Sequence, residues 1–149
     1  MSVYADTSFL VSLYTPDANS VRASAQMRVI EGPVWLTDFG ELELTNAFEL
    51  RLFRRELSAS EIGAAQSVLR EDIESGVFSL KPLPVVVLEK ARQIARKRTA
   101  RLGARTLDVL HVASALVLGA TEFYTFDRSQ SGLAAIEGLK VLAAPGTIT

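Results

Sequence analysis

Apolar positions fall into two rhythms that alternate along the whole chain. Short apolar runs mark strands at Val3-Tyr4-Ala5, Val34-Trp35-Leu36, Val77-Phe78-Ser79-Leu80, Glu122-Phe123-Tyr124-Thr125-Phe126 and Lys140-Val141-Leu142-Ala143. Pro82 and Pro84 limit the third of these. Between the runs, apolar residues recur at helical spacing. Phe9, Leu10, Leu13 and Tyr14 predict a short helix stopped by Pro16, and a second helix runs from about Asn19 to Ile30, ended by Gly32-Pro33. Asp38, three residues before Glu41, resembles a capping box opening a long helix to about Arg55. Ser58 and Glu61 form a cleaner one, opening a helix to Gly76. Val85 to Arg101 reads as a helix closed by Gly103. Thr106 is a natural N-cap for Leu107 to Leu118, which Gly119 terminates, and a last short helix reaches about Glu137. Strands that alternate with helices imply an α/β fold with a mainly parallel sheet covered on both faces. No repeat, linker or low-complexity tract interrupts residues 1–149, so they form one domain.

Composition narrows the chemistry. With 48% apolar residues, a chain of 149 residues can bury a sizeable core. The absence of Cys excludes a disulfide scaffold and a thiolate metal site, and a single His excludes a multi-His zinc site. One His also leaves little room for a Ser-His-Asp triad. Any metal must then take oxygen ligands, which points to Mg²⁺ or Mn²⁺. Net charge is −1, so the chain is not basic in bulk, yet Lys90, Arg92, Arg96, Lys97, Arg98, Arg101 and Arg105 form a stretch without an acid. Such a stretch is either a solvated helix face or a phosphate contact. The N-terminus lacks a charged segment followed by a long apolar one, and no apolar run approaches 18 residues. No membrane segment and a cytoplasmic location are expected.

Four acids stand at informative places. Asp6 ends the first strand, Glu43 lies within the third helix, Asp108 is in the first turn of the Leu107 helix, and Asp127 follows the fourth strand. Each has an ordinary explanation. Asp6 can cap a helix, Asp108 can complement a helix dipole, Asp127 can sit in a turn, and Glu43 can be a solvated helix residue. Glu43 nevertheless shares a helix face with Phe39, Asn46, Ala47 and Leu50, where a charge needs a partner or a metal. Glu41 is explained by its first-turn position and projects elsewhere. Ligands in open α/β sheets sit at the carboxyl ends of strands near the point where strand order reverses. Three of the four acids fall at strand ends or helix starts on that edge, so the four are expected to converge there. His111 is expected to be buried or hydrogen-bonded behind the site.

These motifs look familiar. Val3-Tyr4-Ala5-Asp6-Thr7-Ser8-Phe9-Leu10 resembles the opening of PIN domains, Glu43-Leu44-Thr45-Asn46-Ala47-Phe48 their second acidic motif, Asp108-Val109-Leu110-His111-Val112-Ala113 their third, and Thr125-Phe126-Asp127-Arg128 their fourth. In order, spacing and length, nearly the whole chain resembles the VapC-type toxins of toxin–antitoxin pairs. The resemblance implies a three-layer α/β/α fold and a Mg²⁺- or Mn²⁺-dependent endoribonuclease. It assigns Asp6, Glu43, Asp108 and Asp127 to the catalytic metal site, with Thr7 and Thr125 as hydroxyl support. It further implies an RNA substrate, a homodimer and a cognate antitoxin. Arg and Lys of the 90–105 stretch would hold the RNA backbone. Two other classes compete: a phosphatase with Asp6 as nucleophile, disfavoured because position 8 is Ser, and a non-catalytic α/β interaction or RNA-binding domain.

Overall fold

Side-chain direction alternates along each strand, and here the alternation divides the core in two. The computed structural model describes residues 2–142. Strand β1 (Val3–Ala5) sends Val3 and Ala5 to one face and Tyr4 to the other. In β2 (Val34–Thr37), Val34 and Leu36 join the first core while Trp35 packs against the second. In β4 (Glu122–Tyr124), Tyr124 joins the first and Phe123 the second. Strands buried on both faces read as continuous apolar runs, which is why the sequence shows no alternation here.

The two remaining strands are β3 (Phe78–Lys81) and β5 (Lys140–Leu142), and Ala143 lies outside the described residues. All five pair in parallel, in the order β3-β2-β1-β4-β5. Helices α1 (Thr7–Tyr14), α2 (Ser20–Arg28), α3 (Asp38–Phe53) and α4 (Ala59–Glu74) contribute to the core on one face. On the other lie α5 (Val86–Ile94), α7 (Thr106–Leu118) and α8 (Arg128–Ile136). The result is three-layer α/β/α. From β1 the chain winds outward through β2 to β3, then crosses back to β4 on the other side of β1. The order therefore reverses between β1 and β4, and the groove at their carboxyl ends is the topological switch point.

Several local expectations change. The cap of α3 is Thr37, whose hydroxyl accepts the Gly40 N–H at 3.2 Å, so Asp38 is the first helical residue rather than the cap. The position before α7 is held by Arg105 in extended conformation, and Thr106 is already helical. The capping acceptor there is Asp108, which takes the Arg105 backbone N–H at 3.4 Å. The helix expected over 85–101 is broken into α5, a π-helical turn (Ala95–Thr99) and a last turn α6 (Ala100–Leu102) before Gly103. No glycine or proline in Ala95-Arg96-Lys97-Arg98-Thr99 announces that turn. No helix among the described residues is long and apolar enough to cross a membrane.

Phe9 anchors the edge where the acids meet. It is fully buried, tilted against Tyr124 at 5.2 Å and stacked on Phe126 at 5.5 Å. Phe9→Ala should cost about 3–5 kcal/mol in urea denaturation. The exposed Phe53→Ala should stay within about 0.5 kcal/mol of the parent protein.

Candidate active site at the switch point

The site grows from the β1–α1 junction. Asp6 leaves the sheet with its backbone N–H donated to the Tyr124 carbonyl at 3.0 Å, so it is pinned to β4. Its Oδ1 caps α1 by accepting the Phe9 N–H at 3.0 Å, and also accepts the Ser8 hydroxyl at 2.7 Å. Its Oδ2 accepts the Thr125 hydroxyl at 2.6 Å. The capping reading and the site reading therefore coexist in one carboxylate. Asp6 is only 2% exposed. Burial pushes its carboxyl above the usual range, against the pull of His111, Thr125, the Phe9 N–H and Ser8.

Glu43 comes from α3 and reaches the same place. Asn46, Ala47 and Leu50 line the cavity beside it, as the shared helix face required. Glu41 lines a separate groove with Thr45, Gln66 and Arg70. Glu43 Oε1 accepts from the Thr7 hydroxyl and from His111 Nε2, the latter at 2.6 Å. Burial alone would raise this carboxyl. The His111 hydrogen bond and charge, the Thr7 hydroxyl and Arg105 together outweigh it and hold Glu43 below the usual range.

His111 is the hub behind Glu43. It is 3% exposed, and its Nδ1 lies 2.8 Å from the Tyr4 hydroxyl. A carboxylate only accepts, so Nε2 must carry a hydrogen whatever the charge of the ring. A neutral ring then accepts at Nδ1 from the phenol, whose own ionisation is suppressed by burial. Phe39 packs on the imidazole with ring centroids 4.6 Å apart. At Gly40 an added Cβ would stand 3.2 Å from Thr37 Oγ1 and 3.7 Å from His111 Cε1, so little room remains for a side chain there.

Asp108 and Asp127 close the ring. Asp127 caps α8 through Oδ1, which accepts the Gln130 N–H at 2.9 Å. Arg105 spans both acids, donating from Nε to Asp108 at 3.2 Å and from Nη2 to Asp127 at 3.3 Å. These two carboxylates keep the guanidinium pKa above its ordinary value. All four acids, with Thr7, Ser8, His111 and Arg105, line one open cavity of about 600 Å³. Of the basic residues between 90 and 105, Arg105 lines it, whereas Arg92 pairs with Glu89 and Arg98 with Glu137.

The donor set suits a hard cation, since every acid offers oxygen and an open cavity leaves room for water. In this conformation no three His, Asp or Glu side chains among the described residues stand close enough to surround one ion. Asp108 and Asp127 are engaged by Arg105, and Glu43 by Thr7 and His111. Arg105 is thus the cation that balances Asp108 and Asp127 in this structure.

Sequence reasoning missed Tyr4, Ser8, Arg54 and Gln130 as parts of this site. Ser8 links its two strand ends by donating to Asp6 and accepting the Phe126 N–H at 3.0 Å. The signal was its place two residues after Asp6, where the sequence reading used it against a phosphatase.

A carboxyl whose folded pKa is raised opposes folding above that pKa and stops doing so once protonated. In metal-free protein, Asp6→Asn keeps an acceptor for Phe9 N–H and removes the buried charge. It should raise stability at pH 7, with the advantage shrinking as pH falls through the acidic range. Urea denaturation across pH checks this, and lower stability at pH 7 would contradict it.

The sequence profile of the PIN domain matches residues 3–136. No curated protein sequence matches at a significant level. Among solved structures, the chain is similar to VapC20 of Mycobacterium tuberculosis, described as a sarcin–ricin loop cleaving toxin. The TM-score is 0.68 at 20% identity, covering 88% of this chain and 94% of that one. It is also similar to FitAcB from Neisseria gonorrhoeae, with a TM-score of 0.66 at 20% identity over 94% of this chain and 96% of the other. These likenesses establish the shared fold, and the profile match, running from β1 to the end of α8, shows that the chain belongs to the PIN domain family.

Proposed function

We propose that this protein is a divalent-metal-dependent endoribonuclease, the toxin of a toxin–antitoxin pair, which hydrolyses RNA phosphodiester bonds. One observation carries the reading: Asp6, Glu43, Asp108 and Asp127, remote along the chain, line one cavity at the switch point of the sheet. Membership of the PIN family and the fold shared with a sarcin–ricin loop cleaving toxin support it. The same reading implies a protein antitoxin and a second copy of the chain as partners.

Asp6, Asp108, Asp127 and Glu43 would hold Mg²⁺ or Mn²⁺. When bound, the cation supplies Lewis acidity, lowering the pKa of water and offsetting charge on the leaving oxygen. The chain's own residues do the rest. Asp6 presents a carboxylate already fixed by Ser8, Thr125 and the start of α1. Glu43 commits Oε1 to Thr7 and His111, which leaves Oε2 for the ion or for a proton of the attacking water. Arg105 neutralises Asp108 and Asp127, and with a cation held by those acids its fork would be available to a phosphate. Arg54 lines both this cavity and the adjoining depression of about 380 Å³, giving the RNA backbone a second cationic contact.

A second reading, a non-catalytic interaction or RNA-binding domain, is favoured by the internal satisfaction of the acids. Asp6 and Asp127 act as caps, and Arg105 bridges the latter to Asp108.

Cleavage of RNA by purified protein separates the two. With Mg²⁺ or Mn²⁺ the parent protein should cut, and chelation should stop it. Asp6→Asn, Glu43→Gln and Asp108→Asn should each lose at least about 100-fold, the upper end of losses seen when groups behind a metal site are changed. Indifference to Glu43→Gln would favour the second reading. Mn²⁺ at about 100 times its Kd should add roughly 2.7 kcal/mol of stability to the parent protein, and most of that gain should vanish in the Asp6→Asn, Asp108→Asn double variant.

A further inference from the structure

Among the described residues, two buried side-chain polar atoms have no hydrogen-bond partner, Thr99 Oγ1 and Gln130 Oε1. Thr99 lies on the π turn beside the apolar groove between α5 and α7. Gln130 lines the acidic cavity and is 2% exposed. Its position explains the orphaned oxygen. It is the third residue of α8, after an Asp N-cap, the spacing of a capping box. There the glutamine side-chain oxygen ordinarily accepts the backbone N–H of the cap. In this protein the Asp127 N–H is already donated to Thr125 Oγ1 at 2.9 Å, and Thr125 donates onward to Asp6. The Gln130 oxygen is displaced from its usual partner and has no partner within the protein, in a side chain that lines the carboxylate cavity.

Carboxylates cannot satisfy it, because they too only accept. A ligand can bring the missing donor. A hard cation such as Mg²⁺ keeps several waters, and each such water turns its hydrogens outward, away from the ion. We propose that Gln130 is a further residue of the site, whose side-chain oxygen positions a water carried by the cation by accepting its hydrogen bond. This rests on the metal-site reading above and extends it to a neutral residue. Gln130 is a positioning residue: it acts on the ion through water. Its unpartnered oxygen also opposes folding while the cation is absent, as expected of a group placed for a ligand.

The test needs no RNA. Free Mn²⁺ is titrated by electron paramagnetic resonance against the metal-free full chain, and melting is followed with and without the ion. Gln130→Met removes the amide while keeping an unbranched side chain. It should melt above the parent protein without metal and bind Mn²⁺ about 10-fold more weakly. Gln130→Glu restores an acceptor and should bind at least as tightly as the parent. The inference is overturned if Gln130→Met binds within twofold of the parent, melts lower without metal or fails to fold, or if Gln130→Glu binds no better than Gln130→Met does. Asp108→Asn keeps the two readings apart: weakened binding there beside unchanged binding in Gln130→Met defeats the inference and leaves the metal site standing. A parent protein that binds no Mn²⁺ defeats both.

Discussion

A carboxylate taken out of water must be held by something, and in this protein Asp6 is held before any ligand arrives. Two hydroxyls and a helix N–H fix its oxygens, and its own N–H is tied to the neighbouring strand. The Thr follows β4 and the Ser lies in the first turn of α1, just past β1, so both stand beside the two strands that flank the reversal in strand order. The same hydrogen bonds therefore close the sheet edge, start α1 and aim the acid. Phe9 and Phe126, stacked beneath, exclude water from that junction. A site built on strand ends and a helix start is more rigid than one carried on loops.

The remaining charges are balanced within the chain. Arg105 stands where a cation would stand for Asp108 and Asp127, while His111, backed by Tyr4, steadies Glu43. Because Arg105 is largely exposed, its ion pairs are screened and weak, and it can leave without unfolding the site. The buried contacts of Asp6 and His111 cannot. This division gives the cavity a fixed half, made by β1, β4 and the His111 hub, and a displaceable half, made by Arg105.

Much of this was legible in the chain. The strand and helix order followed from apolar runs and turn residues, because a sheet buried on both sides leaves continuous apolar segments. The separation of Glu43 from Glu41 followed from helical geometry, and the two residues indeed open onto different grooves. What stayed hidden depends on tertiary partners. Tyr4 reads as an ordinary core residue until the sheet brings it to His111. Arg105 reads as the end of a basic stretch until α7 starts and turns it onto two acids. Thr106 has better capping chemistry than Arg105, yet Asp108 captures the cap position by accepting from it. Gln130 matched a capping box by spacing, and only the competing bond from Asp127 to Thr125 shows why that box does not close.

The central claim is that a divalent ion sits among four acids gathered at the β1–β4 edge. Anomalous scattering from crystals of the protein soaked in Mn²⁺ tests it most directly. The account predicts a peak inside the cavity, within reach of Asp6 and Asp108 and with Arg105 turned away from them. Manganese found only at other surfaces, with Arg105 still bridging Asp108 and Asp127, would contradict it.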